Sequence, residues 1–299
     1  MPTAPQPPVA TGTDAEQDRE QQLRNIILTT RDLPAMPHVA SKVLELSSDP
    51  STSAQQIQQV IADDQAMTAR ILKIANSAMY ACSRRVKTLT EAIVMLGFNS
   101  IRSLVVTSAA RNLYSTGAKR LGLKERLLWE HSVGCGFACK LMVQHRYPQL
   151  TEEAFLAGLL HDIGKLVLNL QAPERFDEVV QVVYNESRSF ADTEREILGF
   201  DHAQVGALLV NKWKLPPMLE QIIGDHHEPG RFAPENPLLL YLDLANHLCK
   251  KLGVGFVDDP AIDLQVLPSN VFLQLSPELL EDVAGQLKAT LETEMEVFI

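Results

Sequence analysis

The pair His161-Asp162 sits at the end of an apolar run, AFLAGLLHDIGKL. An ionised carboxylate among leucines is costly unless it is paired or bound to a metal ion, so the pair marks a place where chemistry could be built. Four further stretches carry the same residue types. His131 lies in LWEHSVGCGF, His202 opens DHAQVGALL, His226-His227-Glu228 follows MLEQIIGD, and Asp243 lies inside LLLYLDLANHL. Seven of the eight histidines fall between His131 and His247, so the excess is local. Neutral imidazole suits iron, zinc, manganese and related ions, and carboxylates can bridge two of them. A mixed set of this size would hold two metal ions about 3.5–4 Å apart and activate a water between them. Lys165 follows Asp162 by three residues, on the same side of a helical turn. It is a phosphate contact or a plain surface lysine.

Each of these residues also has an ordinary reading. His131 could be a core histidine. His202 could be a first-turn residue beside an Asp201 cap. His226 and His227 could be a solvated loop pair, with one ligand or both. Asp243 in an apolar helix needs a partner, either a metal ion or an orienting imidazole, and His247 stands four residues on. His131, Cys135 and Cys139 share one helix face at intervals of four. That permits a thiolate site, but buried cysteine usually behaves as a small hydrophobe, and Gly134 and Gly136 indicate tight helix packing. His38 and His145 carry no signal.

The elements that must position these groups read as helix after helix. Residues 1–19, rich in Pro, Thr, Gln and acids, read as a disordered leader, with regular structure from Glu20. Ser51 or Ser53 can cap a helix whose stripe is Ile57, Val60 and Ile61. Met67, Ile71, Ile74, Ala75 and Ala78 form the apolar face of the next. Two helices, 88–96 and 101–113, flank a break at Gly97-Phe98-Asn99, and a linker spans 114–123. Further helices are predicted over 127–147, 151–170, 175–187, 193–213, 217–225 and 237–252. Gly164 is read as the residue that lets the chain turn after His161-Asp162. Residues 253–275 read as irregular, and a last helix opens at Ser276-Pro277 with a stripe of Leu280, Val283, Leu287 and Leu291. The expected fold is all-α, with two packed helical subdomains, 20–113 and 123–255, and a C-terminal extension, 256–299, ending in a helix.

Composition bounds the function classes. With 299 residues, 45% hydrophobic and 21% charged, the chain can bury a substantial core. A net charge of -10 argues against a nucleic-acid footprint; the Arg84, Arg85, Lys87 cluster reads as a solvated loop. No transmembrane span or signal core is expected, and four cysteines are too few for a disulfide scaffold. A cytoplasmic protein is the expectation.

These residues bring a family into view. Through His161-Asp162-Ile163-Gly164-Lys165 the chain resembles the HD superfamily of metal-dependent phosphohydrolases. Through LPAMPHVASKVLELSSDP, IADDQAMTARILKIANSAMY and AIVMLGFNSIRSLV it resembles the HDOD branch, found in bacterial signalling proteins, over roughly 23–255. By similarity to the related HD-GYP phosphodiesterases, the resemblance implies metal ligands at His131, His161, Asp162, His202, His226, His227 and Asp243. It further implies Asp162 bridging two ions and Lys165 contacting phosphate. The chain departs at two points. Pro229-Gly230-Arg231-Phe232 replaces the GYP signature, so cleavage of cyclic di-GMP is not implied. Leu127 stands where some relatives place a glutamate for a third metal, so two ions at most are expected. Iron or manganese is favoured, with zinc or magnesium as alternatives. The implied function is a signalling or regulatory protein with a metal pocket. The alternative is an active phosphohydrolase or phosphodiesterase acting on a nucleotide or cyclic nucleotide. Implied partners are a signalling protein and a phosphate-containing small molecule, with no membrane.

Overall fold

The computed structural model describes residues 35–47, 49, 51–80, 84–114, 122–228 and 236–298. The expected leader, the start of regular structure at Glu20, most of the 114–123 linker and the 229–232 segment lie outside the described residues.

Helices form where caps and apolar stripes coincide. Helix α1 (His38–Ser47) precedes α2 (Ala54–Ala62). Ser53 starts α2 in a capping box with Gln56, which satisfies two first-turn donors. Asp64 caps α3 (Gln65–Ala75) by accepting from the Met67 amide at 2.9 Å. Ile57, Ile61, Met67, Ile71 and Ile74 then turn their shared faces inward, each at most 2% exposed.

Helix α4 (Leu89–Tyr114) contains the expected break: Gly97 adopts φ 79°, ψ 169°, outside the helical region. Among the described residues α4 alone has the length and apolarity to cross a bilayer, which the sequence reading did not anticipate. Its apolar surface is instead covered by protein, since most of 100–110 is buried.

The second half starts with α5 (Leu123–Val143), against which α6 (Thr151–Leu160) packs. The predicted 151–170 helix is two helices. His161 ends α6, Asp162 leaves the helical region at φ −97°, ψ 9°, and α7 (Ile163–Gln171) begins anew. After α8 (Pro173–Glu186), the predicted 193–213 helix is likewise two, α9 (Phe190–Leu198) and α10 (His202–Lys212). Gly199, at φ 86°, ends α9 in the left-handed conformation that glycine adopts cheaply. Helices α11 (Pro217–Asp225) and α12 (Leu238–Lys251) complete the region. A short helix, α13 (Pro268–Leu273), lies inside the stretch expected to be irregular. The last helix, α14 (Pro277–Phe298), packs on α5, and the Trp129 indole donates to the Phe298 carbonyl at 3.0 Å. The described residues include no strand. The buried apolar side chains form one cluster from Met36 to Phe298, so the two halves share a core.

Candidate metal centre

Two close backbone approaches assemble the site. A Cβ on Gly158 of α6 would stand 2.5 Å from the Cys135 carbonyl carbon of α5. Only a glycine lets these helices cross so near, and the crossing sets His161, at the end of α6, beside His131 on α5. Their rings lie 5.4 Å apart between centroids. Gly164 plays the same part for the second approach. Its Cβ would fall 1.9 Å from the His202 carbonyl oxygen, so α7 and α10 meet backbone to backbone. The turning role expected of Gly164 is therefore replaced by close packing, because Gly164 lies inside α7. Asp162 itself makes the break.

Asp162 occupies the centre. Its Oδ1 faces His202 Nε2 at 3.1 Å and His226 Nε2 at 3.8 Å. Its Oδ2 faces Lys165 Nζ at 2.7 Å, His161 Nε2 at 3.4 Å and His131 Nε2 at 3.7 Å. His227 Nε2 lies 2.9 Å from His202 Nε2. Six of the seven expected ligands thus converge, with Lys165 beside them. His161, Asp162, His202 and His226 are at most 4% exposed.

Hydrogen bonds fix how the rings point. Nδ1 of His131 meets the Val254 carbonyl at 2.9 Å, that of His161 the Gly158 carbonyl at 2.8 Å, and that of His226 the Ile223 carbonyl at 2.7 Å. A carbonyl oxygen only accepts, so each Nδ1 carries the hydrogen and each ring turns its Nε2 inward. His202 is oriented by Glu194 of α9, whose Oε2 accepts from both the backbone amide (2.7 Å) and Nδ1 (2.5 Å) of His202. Asp201, not His202, caps α10, in a capping box with Gln204.

Several lone pairs around one carboxyl group form a donor set for a cation. The Nε2 atom of His161 is buried with no hydrogen-bond partner among the described residues. Burial pushes His161 well below the usual histidine range, takes His226 down to about 3, and lowers His227 as well, so these rings are neutral. Burial also opposes charge on His202, but Glu194 and Asp162 together outweigh it and raise that ring. For Asp162, burial is outweighed by His161, Lys165 and His202, which hold the carboxyl well below the usual carboxylate range. Oxygen and imidazole donors in this number fit a divalent first-row ion, and the Nδ1 bonds supply the outer support that such ligands require.

Asp243 is not part of this convergence. Its Oδ1 lies 3.3 Å from His247 Nδ1 and its Oδ2 accepts from the Ser269 hydroxyl. The partner left open in the sequence is thus an imidazole and a hydroxyl. Turned toward the site from α12 are Asn246 and Lys250, which line a cavity of about 290 Å³ with His131, Asp162, Lys165 and His227. Glu194, Asn246 and Lys250 were missed in the sequence. Glu194 left a trace: a glutamate on the inward stripe that runs Phe190, Glu194, Leu198. Cys135 Sγ lies 3.5 Å from His131 Nε2, while Cys139 faces the Tyr241 carbonyl, so the cysteines do not form one row of ligands.

Residues 33–229 match the family model for the HDOD domain. A crystal structure of an HDOD domain protein from Geobacter sulfurreducens has a TM-score of 0.76 at 24% identity, covering 95% of this chain and 97% of that one. A Shewanella amazonensis structure, whose description proposes a phosphohydrolase, has a TM-score of 0.71 at 25% identity, covering 91% and 96%. A Treponema pallidum protein described as uncharacterized is 28% identical over 273 residues; these make up 88% of this chain and 50% of that protein, so the chain spans half its relative's length.

Proposed function

This chain belongs to the HDOD family, and on that premise we propose that it is a regulatory protein of bacterial signalling that holds one or two divalent cations in its His/Asp pocket. One observation carries the reading. The two oxygens of Asp162 face different imidazole sets, His202 and His226 on one side, His131 and His161 on the other. A single carboxylate so placed is a bridge between two cation positions. Asp243, engaged with His247 and Ser269, is left out of the ligand set. Iron or manganese suits these nitrogen and oxygen donors, with zinc or magnesium as substitutes. We take 20–255 as the signalling domain and 256–299 as an extension that buttresses it. The extension reaches the site directly, since Phe256 and Val257 line the cavity beside His131 and Asp162. The output passes to a protein partner in the cytoplasm, where the buried free thiols of Cys135, Cys139 and Cys249 stay reduced.

A second reading, an active phosphohydrolase, is favoured by one further observation. Lys165 stands on the cavity wall within 2.7 Å of Asp162, where its charge could offset that on a phosphoryl oxygen. A bound divalent cation would polarise that oxygen and lower the pKa of a water.

Hydrolysis of bis(p-nitrophenyl) phosphate with added manganese or iron(II) separates the two readings. Metal bound without turnover is the result expected of the regulatory protein. Turnover that disappears in Asp162→Ala would instead establish the enzyme.

A further inference from the structure

The row of His131, Cys135 and Cys139 that spacing permits gives way to a group drawn from two helices. A ring nitrogen of His131 and the sulfurs of Cys135 and Cys249 all lie within 4.8 Å of one another, with Cys135 Sγ 3.5 Å from His131 Nε2. Cys249 comes from α12, which packs on α5. Gly134 makes room for it, since a Cβ there would stand 3.1 Å from the Cys249 sulfur. Both thiols are wholly buried. Cys139, one turn beyond Cys135, is buried as well, but it faces the Tyr241 carbonyl instead. Packing as a small hydrophobe accounts for Cys139. It does not require two sulfurs and an imidazole to meet.

Three ligand atoms about 2.0–2.3 Å from one ion lie roughly 3.5–4 Å from one another, so small side-chain rotations bring this group onto a cation. Thiolates select soft ions, copper(I) and zinc among them. Two features favour the monovalent ion. The group supplies three donors, whereas a structural zinc site closes on four. Two thiolates and copper(I) carry one net negative charge, and the Lys250 ammonium, next in sequence to Cys249, lies within electrostatic reach of Cys135 to balance it. His131 lines the cavity of about 290 Å³, which gives an ion a route to the buried sulfurs.

We propose that His131, Cys135 and Cys249 form a second metal site, three-coordinate and specific for copper(I), in which the two thiols release their protons to solvent and bind as thiolates. Only His131 is common to this site and the Asp162 set. Its Nε2 also lies 3.7 Å from Asp162 Oδ2, and one nitrogen lone pair binds one ion. Copper(I) therefore competes for His131 with a cation held by Asp162. That coupling rests on the proposed function; the thiolate site itself does not.

The test uses the full chain carrying Cys82→Ser, which removes the thiol outside the described residues, held without oxygen and given copper(I) as the probe. Competition against a copper(I) chelator should show one equivalent bound, and X-ray absorption at the copper edge should show two sulfur neighbours and one nitrogen. Cys135→Ser and Cys249→Ser should each weaken copper(I) by more than about 100-fold, beyond the 10–100-fold typical of losing an outer supporting group. Cys139→Ser should stay within about twofold of the parent chain, and manganese uptake should be unchanged in all three. Circular dichroism establishes that the variants are folded, and Cys135→Ala or Cys249→Ala replaces a serine variant that does not fold. Copper(I) that the chelator removes as readily from the parent as from folded Cys135→Ser would overturn the proposal, as would a bound ion with nitrogen neighbours only. Copper(I) should also weaken manganese binding, and manganese that of copper(I) by the same factor; ions that bind independently would overturn the sharing of His131. Copper(I) bound as expected by a chain that takes up no manganese would uphold this site and sink the Asp162 reading. Manganese without copper(I) would do the reverse.

Discussion

Glu194 and His202 lie eight residues apart on two different helices, and one Glu194 oxygen accepts both the backbone amide and the ring Nδ1 hydrogen of His202. Both side chains are wholly shielded from solvent. This double bond to one oxygen sets the ring's rotation and turns Nε2 toward Asp162. Supporting partners of this kind typically change metal affinity by 10–100-fold when removed. Glu194→Ala is therefore expected to weaken manganese binding by about that factor while every ligand stays in place. Chelator competition measures it. An affinity within twofold of wild type would show that the ring needs no such support.

The Gly164 contact makes a sharp prediction about stability. Gly164→Ala would place a methyl 1.9 Å from the His202 carbonyl oxygen, so α7 and α10 must separate. Denaturant unfolding should show a loss of at least about 3 kcal/mol. Gly285→Ala is the control. It lies inside α14 with nothing within 4 Å of its Cβ position, and should gain about 0.5–1 kcal/mol.

Asp243 separates the observed placement from the one the family resemblance implies. Asp243→Ala should leave metal content unchanged and lower stability by about 1–2 kcal/mol through its lost contacts with His247 and Ser269. The effect should depend on pH. Burial opposes charge on Asp243, but its bonds to His247 and Ser269 bring its pKa below the ordinary value. Its contribution is thus present above the unfolded carboxyl value of about 4 and lost as pH falls through the folded one. The bond to Asp243 raises His247, whose contribution is present below about pH 6.5 and lost as pH rises through its folded value. The stability difference between wild type and Asp243→Ala should be largest near pH 5 and smaller at pH 8, as read from unfolding midpoints. A difference that grows toward pH 8 would contradict the pairing.

Much of this was legible in the chain. Periodic apolar stripes such as Ile57–Ile61 and Met67–Ile71–Ile74 located helices, and the cost of a carboxylate among leucines singled out Asp162. Helix boundaries were less visible where a helix ends without a strong breaker. Nothing but the His161-Asp162 pair itself divides 151–170, and Gly199 was overlooked inside the apolar pattern of 193–213. Asp243 was named a ligand through the family resemblance, its place in an apolar helix leaving the partner open, yet Asn246, three residues on, is the residue that reaches the cavity. Which side of a buried helix faces a site depends on the rotation set by packing, and an all-apolar helix carries little periodic signal for it. Glu194 escaped because its partner lies on another helix, and only the close passage of α9 by α10 brings the two together.

The account stands or falls on whether the Asp162 cluster holds a cation. Elemental analysis of the full chain purified anaerobically, beside the His161→Ala/His202→Ala variant, tests this directly. One or two equivalents of iron or manganese, or of zinc or magnesium in their stead, are expected in the wild-type protein and none in the folded variant. A wild-type protein that arrives without metal and takes up none from iron(II) or manganese would contradict it.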